Sequence, residues 1–281
     1  MKTHLVFGAL LGAALALVGP LAGEGRGDFT LHGNEQLTVD TYLGYGTLYD
    51  QSRARIVSGG FVDGLSAFDA SVVDICGGGV SGLYAYQASA VHFSSGVVDH
   101  LTPQGGCVVD ISGGSLTDLT AYDASVVHFS GGSVSWLCAW GASAVQLSGG
   151  TMNYLIARES SVVDISGGSV SNLCPQGGSV VDISGGSVSD LDVRDASVAT
   201  FWGLDFHLGE GLYLEGDRVL GMGVLSGEWF DGTPWAVNIS TNESGATILV
   251  IPEPATVVLL ALGGLALLHR RGAAFVPGPN S

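Results

Sequence analysis

Apolar residues in this chain fall into columns eighteen positions apart. A valine recurs at Val73, Val91, Val109, Val127, Val145, Val163 and Val181. Two places after each stands a larger apolar residue: Ile75, Phe93, Ile111, Phe129, Leu147, Ile165 and Ile183. The position between them is polar in every copy: Asp74, His92, Asp110, His128, Gln146, Asp164 and Asp182. In-out-in alternation is the period of a β-strand. A Ser-Gly-Gly step or a variant of it follows, starting at Ser58, Cys76, Ser94, Ser112, Ser130, Ser148, Ser166 and Ser184, with a degenerate copy at Trp202-Gly203. Its glycines predict a turn, because they tolerate positive φ. Beyond it come Val80, Val98, Leu116 and Val134, then an unbroken leucine column from Leu65 through Leu83, Leu101, Leu119, Leu137, Leu155 and Leu173 to Leu191. Alanines stand two places further on, at Ala67, Ala85, Ala121, Ala139 and Ala157. Each repeat thus predicts two or three short strands joined by tight turns.

A fixed period without insertions predicts a solenoid, in which no rung buries its own face and stability is a sum of neighbour contacts. Strands stacked about 4.8 Å apart make eight to nine rungs a rod roughly 40 Å long. An eighteen-residue rung also suits the hexapeptide left-handed helix, but stepping by six from the Ile/Phe column lands on Ser and Asp. A calcium-binding roll needs Gly-Gly-x-Gly-x-Asp, whereas Ser-Val-Ser or its like follows the glycines here. The expected fold is all-β: a single-stranded parallel β-helix of eighteen-residue rungs, right-handed by default, with β caps and a short C-terminal hydrophobic helix. Residues 58–203 carry the rungs. Residues 25–57 read as an N-terminal cap and irregular first rung, since Gly46–Asp50 echoes Gly64–Asp69 with one residue missing. Residues 204–250 break the period and read as a β-rich cap or a small β module.

The net charge of −17 and a pI of about 4.4 change the functional picture. Lys2 is the only lysine, and the part between the terminal signals described below keeps six arginines: Arg26, Arg53, Arg55, Arg158, Arg194 and Arg218. So few cations cannot neutralise phosphates, which excludes nucleic acid as a partner. An acidic surface suits solubility outside the cell and weak Ca2+ binding.

Both termini carry address signals. Lys2 and His4 precede the apolar stretch Leu5–Val18, with small residues at Ala22-Gly23. That is a secretory leader pattern, and residues 1–24 are assigned to it. At the other end Pro252-Glu253-Pro254 precedes the apolar run Val257–Leu268 and then His269-Arg270-Arg271. The run is shorter than the roughly 20 residues that span a bilayer comfortably. Arg270 and Arg271 would hold its end on the cytoplasmic side. This order resembles the PEP-CTERM sorting signal of exported bacterial surface proteins, which exosortases recognise and process. The resemblance assigns residues 251–271 to sorting, with Pro252, Glu253, Pro254, Arg270 and Arg271 as its marks, and leaves 272–281 as a tail. It implies an exosortase as partner, transient anchoring in the inner membrane, and a final place in the envelope or extracellular matrix of an exopolysaccharide-producing, biofilm-forming cell.

Candidate chemistry sits on two outward columns. Asp74, His92, Asp110 and His128 alternate carboxylate and imidazole on successive rungs, the spacing at which they could share a divalent cation such as Ca2+. The plainer expectation is a solvated face on which Asp and His relieve charge repulsion. A second column runs Phe68, Tyr86, Gln104, Tyr122, Trp140, Arg158, Gln176 and Arg194. Tyr86, Tyr122 and Trp140 are the candidate platforms for stacking sugar rings. No threonine ladder marks an ice-binding face. Enzymes on β-helices build their sites on long loops that interrupt the repeat, and none interrupts it here, so a non-catalytic structural or adhesive role is expected. The alternative is a polysaccharide-binding module, or a lyase or hydrolase of the β-helix type. Among the four cysteines, Cys138 and Cys174 share a column two rungs apart, about 9.6 Å, too far for a disulfide. Four free thiols are therefore expected.

Overall fold

The computed structural model describes residues 27–242 and 245–252. The leader at 1–24 and the sorting signal beyond Pro252, with its apolar run 257–268, lie outside the described residues. Within them the chain is all β, with no helix, and winds as a β-solenoid of about ten turns.

Register explains the columns. Val162 pairs with Ala144 and Val180, Val163 with Val145 and Val181, and Ile165 with Leu147 and Ile183, all parallel. Past the Gly pair the ladder resumes at Ser169 and Val170, skips a residue, and runs again from Asn172 to Leu173. A rung is therefore three short ladder segments separated by the Gly-Gly turn and a one-residue bend. The amide that opens each rung donates to the carbonyl of the rung before it: Val126 to Cys107, Ala144 to Ser125 and Val162 to Ser143, at 2.9–3.0 Å. The Val, Ile/Phe, Leu and Ala columns named above are all buried, as is the column from Val80 through Met152 to Val188.

Two features of the turns set the period. The first glycine of each pair lies against the preceding rung: a Cβ on Gly149 would sit 2.4 Å from the Ser130 carbonyl oxygen, and one on Gly167 2.3 Å from that of Ser148. The other turn has positive φ at Asp50, Asp69, Gln87, Gly105, Asp123, Gly141, Glu159, Gly177 and Asp195. Acidic and amide side chains tolerate that region better than branched ones. Several of them also accept from the turn amide one rung back: Asp50 from Gly33 N at 2.9 Å, Gln87 from Asp69 N at 2.8 Å, and Asp195 from Gly177 N at 3.2 Å.

Two residues after this turn position the chain points a small polar side chain inward, at Ser52, Ser71, Ser89, Cys107, Ser125, Ser143, Ser161, Ser179 and Ser197, all buried. Ser197 donates to the carbonyls of Arg194 and Pro175, and the Cys107 thiol reaches the Ala85 carbonyl at 3.6 Å. The hydroxyls of Ser125, Ser143 and Ser161 have no hydrogen-bond partner.

The two ends depart from the period. From sequence Gly46 aligns with Gly64; in the structure it pairs with Leu65, and Tyr45 pairs with Gly64. A Cβ at Gly64 would lie 2.7 Å from the Tyr45 ring, so the residue paired with Tyr45 has to be glycine. At the other end the chain leaves the helical path after Gly203 and makes antiparallel pairings: 204–208 with 225–228, 212–215 with 218–221, and 223–228 with 234–239. It then returns. Asn238 and Ile239 stack in parallel on Asp190 and Leu191, and 247–252 stack on 198–203. Residues 204–233 are thus an excursion between two rungs. Arg218 and Val219 pair antiparallel with Leu249 and Ile248, closing part of the last strand's outer edge. Trp235 stacks on Phe201 at 5.0 Å and on Trp229 at 4.8 Å, covering the end of the core.

The two kinds of turn-side residue should respond oppositely to substitution. Gly149→Ala should cost at least about 2 kcal/mol, since its new methyl meets backbone that cannot move without its rung. Ser143→Ala should be neutral or stabilising by up to about 1 kcal/mol, because it removes a buried hydroxyl without a partner. Urea denaturation of both variants checks this pair of signs.

Candidate functional site

The polar column folds into an alternating chain of charge. Asp74 is buried at 6% exposure, accepts from the Arg53 guanidinium, and lies 2.9 Å from His92 Nδ1 through its other oxygen. His92 Nε2 stands 3.7 Å from Asp110, whose other oxygen is 2.7 Å from His128 Nδ1. The four candidate residues are therefore brought together, but with one another. Each carboxylate is engaged by imidazole, and no group of three or more His, Cys, Asp or Glu among the described residues could hold a metal ion. Arg53 is the member that sequence spacing missed. It stands in register with Val72, while Arg55 is the backbone partner of Asp74.

Further along, the same column turns to like charge. Asp164 and Asp182 occupy adjacent rungs, and partial burial together with the neighbouring carboxylate pushes the Asp164 acid up. At Asp74 burial also opposes ionisation. Hydrogen bonds from Arg53 and His92 and their charges outweigh it, and hold the carboxyl below its usual range.

The aromatic column is longer than its sequence outline. His32 stacks on Tyr49, Tyr49 on Phe68 and Phe68 on Tyr86, with centroids 4.8–5.3 Å apart and rings within 12° of parallel. Gln104 interrupts it. Tyr122 and Trp140 stack more loosely at 6.4 Å, and Arg158 covers Trp140 at 4.5 Å. Rings stacked between rungs turn their faces along the rod and their edges to solvent. Tyr86 and Trp140 each therefore have at least one face closed to a ligand by a neighbour. The faces not closed this way flank Gln104, between Tyr86 and Tyr122. A separate pair, Trp136 and Tyr154, stacks at 4.1 Å on another column.

All four cysteines are free. Cys138 and Cys174 are separated by Ile156, which pairs with both. Burial pushes both thiols up, and lifts that of Cys107 to about 11. None of these three is suited to nucleophilic work at neutral pH.

No protein family, no curated protein and no solved structure matches this chain. What the site does must be argued from its own geometry.

Two predictions follow from the charges. Asp74 has a depressed acid constant, so its contribution is present above the unfolded value near pH 3.9 and is lost as pH falls through the folded one. Asp74→Asn should cost about 1–3 kcal/mol at pH 7, a difference that closes below about pH 4. Asp164 is raised, so its ionised form is a burden at neutral pH that protonation relieves. Asp164→Asn should stabilise at pH 7 by no more than about 0.5 kcal/mol after solvent screening, and the gain should fade towards pH 4. Melting curves between pH 3 and 8 read both signs. For the thiols, alkylation at pH 8 should leave Cys107 unmodified in the native protein and modify all four cysteines in denaturant.

Proposed function

We propose that this chain is an exported structural or adhesive rod of the bacterial cell surface or extracellular matrix, sorted by an exosortase and without catalytic activity of its own. The observation that carries the reading is the uninterrupted eighteen-residue register from Val72 to Phe201, in which the charges from Asp74 to His128 and the stacked aromatic rings are engaged between rungs. Side chains committed to their neighbours stiffen a spacer and leave little free for chemistry. Right-handed winding fits the general preference of parallel crossovers.

The sorting half of the proposal is supported by the Pro-Glu-Pro box in the sequence and by its junction with the fold. The last ladder strand ends at Pro252, which is exposed. The box thus begins where the rod ends. The resemblance further implies passage through the inner membrane by the run 257–268, anchored by Arg270 and Arg271. Among the described residues no helix is long and apolar enough to cross a membrane.

A second reading, attachment to extracellular polysaccharide, is favoured by the exposed Tyr122 and the part-exposed Tyr86 on either side of exposed Gln104. A lyase or hydrolase is the less favoured form of it, since clustered carboxylates here are paired with His or Arg along the Asp74–His128 stretch.

Fractionation of an exosortase-bearing host tests the main proposal. The intact chain should leave the inner membrane for the outer surface or medium, whereas replacing Pro252, Glu253 and Pro254 together by Ala should hold it in the inner membrane. Equal distribution of both forms would refute the sorting role.

A further inference from the structure

The excursion at 204–233 builds a cleft that the repeat alone does not contain. Its tip, Trp229–Thr233, folds back over the Ser-Gly-Gly turns at Ser166 and Ser184 and borders an open groove of about 390 Å³. The tip is held from several sides. The Trp229 indole N–H donates to the Gly186 carbonyl at 2.9 Å while the ring stacks on Trp235. Trp229 N donates to Thr233 O and Gly232 N to Trp229 O, both at 2.9 Å. Thr233 N donates to Asp231 Oδ1 at 2.9 Å. With the backbone so fixed, the side chains that face the cleft are pre-positioned.

Those side chains form a recognisable set. Phe230 is 46% exposed, a large ring left in water beside a cavity. Asp231 is exposed beside it, and hydrogen bonds from Thr233 favour its ionised form. Ser166, Ser184 and Thr233 line the remaining walls; the Ser166 hydroxyl donates to the Leu147 carbonyl at 3.4 Å, and the Thr233 side chain hydrogen-bonds to Asp231. An apolar ring face with a few convergent polar groups is the usual make-up of a small-ligand site. Ring and hydroxyls together suit a pyranose, whose C–H face stacks on an aromatic while its hydroxyls exchange hydrogen bonds. The sign of charge narrows the class. A carboxylate in the cleft, on a chain of net charge −17, repels uronates and phosphates and favours neutral or cationic sugars.

We infer that the cleft formed by Phe230, Asp231, Thr233 and the turns at Ser166 and Ser184 binds a neutral or amino-sugar unit of a polysaccharide. Phe230 is the platform, Asp231 the acceptor for sugar hydroxyl or ammonium, and the serines are the outer hydrogen-bonding wall. The inference goes beyond the reading as a rod and does not depend on it. It places glycan contact at the excursion 204–233, away from the aromatic column.

The test is titration of the whole chain with glucose, glucosamine and galacturonate oligosaccharides, observed by saturation-transfer NMR. Glucose and glucosamine oligomers should bind in the millimolar range, with the amino sugar tighter, and the uronate should not. Phe230→Ala should weaken binding about tenfold with the fold intact by circular dichroism. Asp231→Asn should erase the preference for the amino sugar, and Tyr122→Ala should change nothing. Absence of binding by all three oligosaccharides overturns the inference, as does tighter binding of the uronate. Loss with Tyr122→Ala and none with Phe230→Ala would also overturn it, moving the glycan to the aromatic column. None of these outcomes bears on sorting, which fractionation decides separately.

Discussion

Each rung of this protein exchanges backbone hydrogen bonds with the rungs on either side, and a parallel ladder of that kind sets residue n over its equivalent one rung away. Identity of neighbours follows from this. Along the ladder segments valine lies on valine, leucine on leucine and, over part of their column, aromatic on aromatic, because a backbone bonded in constant register leaves no other partner within about 4.8 Å. Whatever is placed once in the sequence is repeated as a column in space, and the energetics of any residue become the energetics of its column.

That constraint sorts the columns by what tolerates stacking. Aliphatic side chains gain by it, and so do planar rings, as the Tyr49–Phe68–Tyr86 run shows. Like charges lose by it. The chain answers with alternation at Asp74, His92, Asp110 and His128, and ends the alternation with Arg53 at one side. Where the alternation stops, Asp164 and Asp182 face each other and the cost appears as a raised acid. Glycine pairs are required for the same reason: the turn backbone of one rung rests on the carbonyl of the last, and a methyl group has no space there. The function proposed for the rod inherits this logic, since columns that satisfy themselves make a stiff spacer and a poor active site.

Much of this was legible in the sequence, because period and column convert directly into register. The buried Val, Ile/Phe, Leu and Ala columns and the Asp–His neighbours all stand where an eighteen-residue step puts them. Other features were hidden for physical reasons. Arg53 reaches Asp74 with a long side chain from a different column, a diagonal that spacing does not encode. The positive-φ column is readable in retrospect as a position that takes only Asp, Gln, Glu or Gly, but its role as a cap for the preceding rung needs coordinates. The stacking of Tyr86 and Trp140 on their neighbours depends on side-chain rotamers, which a column of letters does not carry. The return of 234–252 to the solenoid after the 204–233 excursion was illegible because the period fails there, and with it the only guide to what lies over what.

Removing one whole rung tests the constraint most directly. Deletion of residues 144–161 joins Ser143 to Val162 and leaves every column in register, so a cooperative all-β fold with somewhat lower stability is expected. Deletion of 144–160 removes one residue fewer and sets each following strand out of phase, so its core face should turn to water and the fold should be lost. Circular dichroism and urea unfolding of the two chains decide it. Equal stability of the two, or collapse of the eighteen-residue deletion, would contradict a structure built on rung-to-rung register.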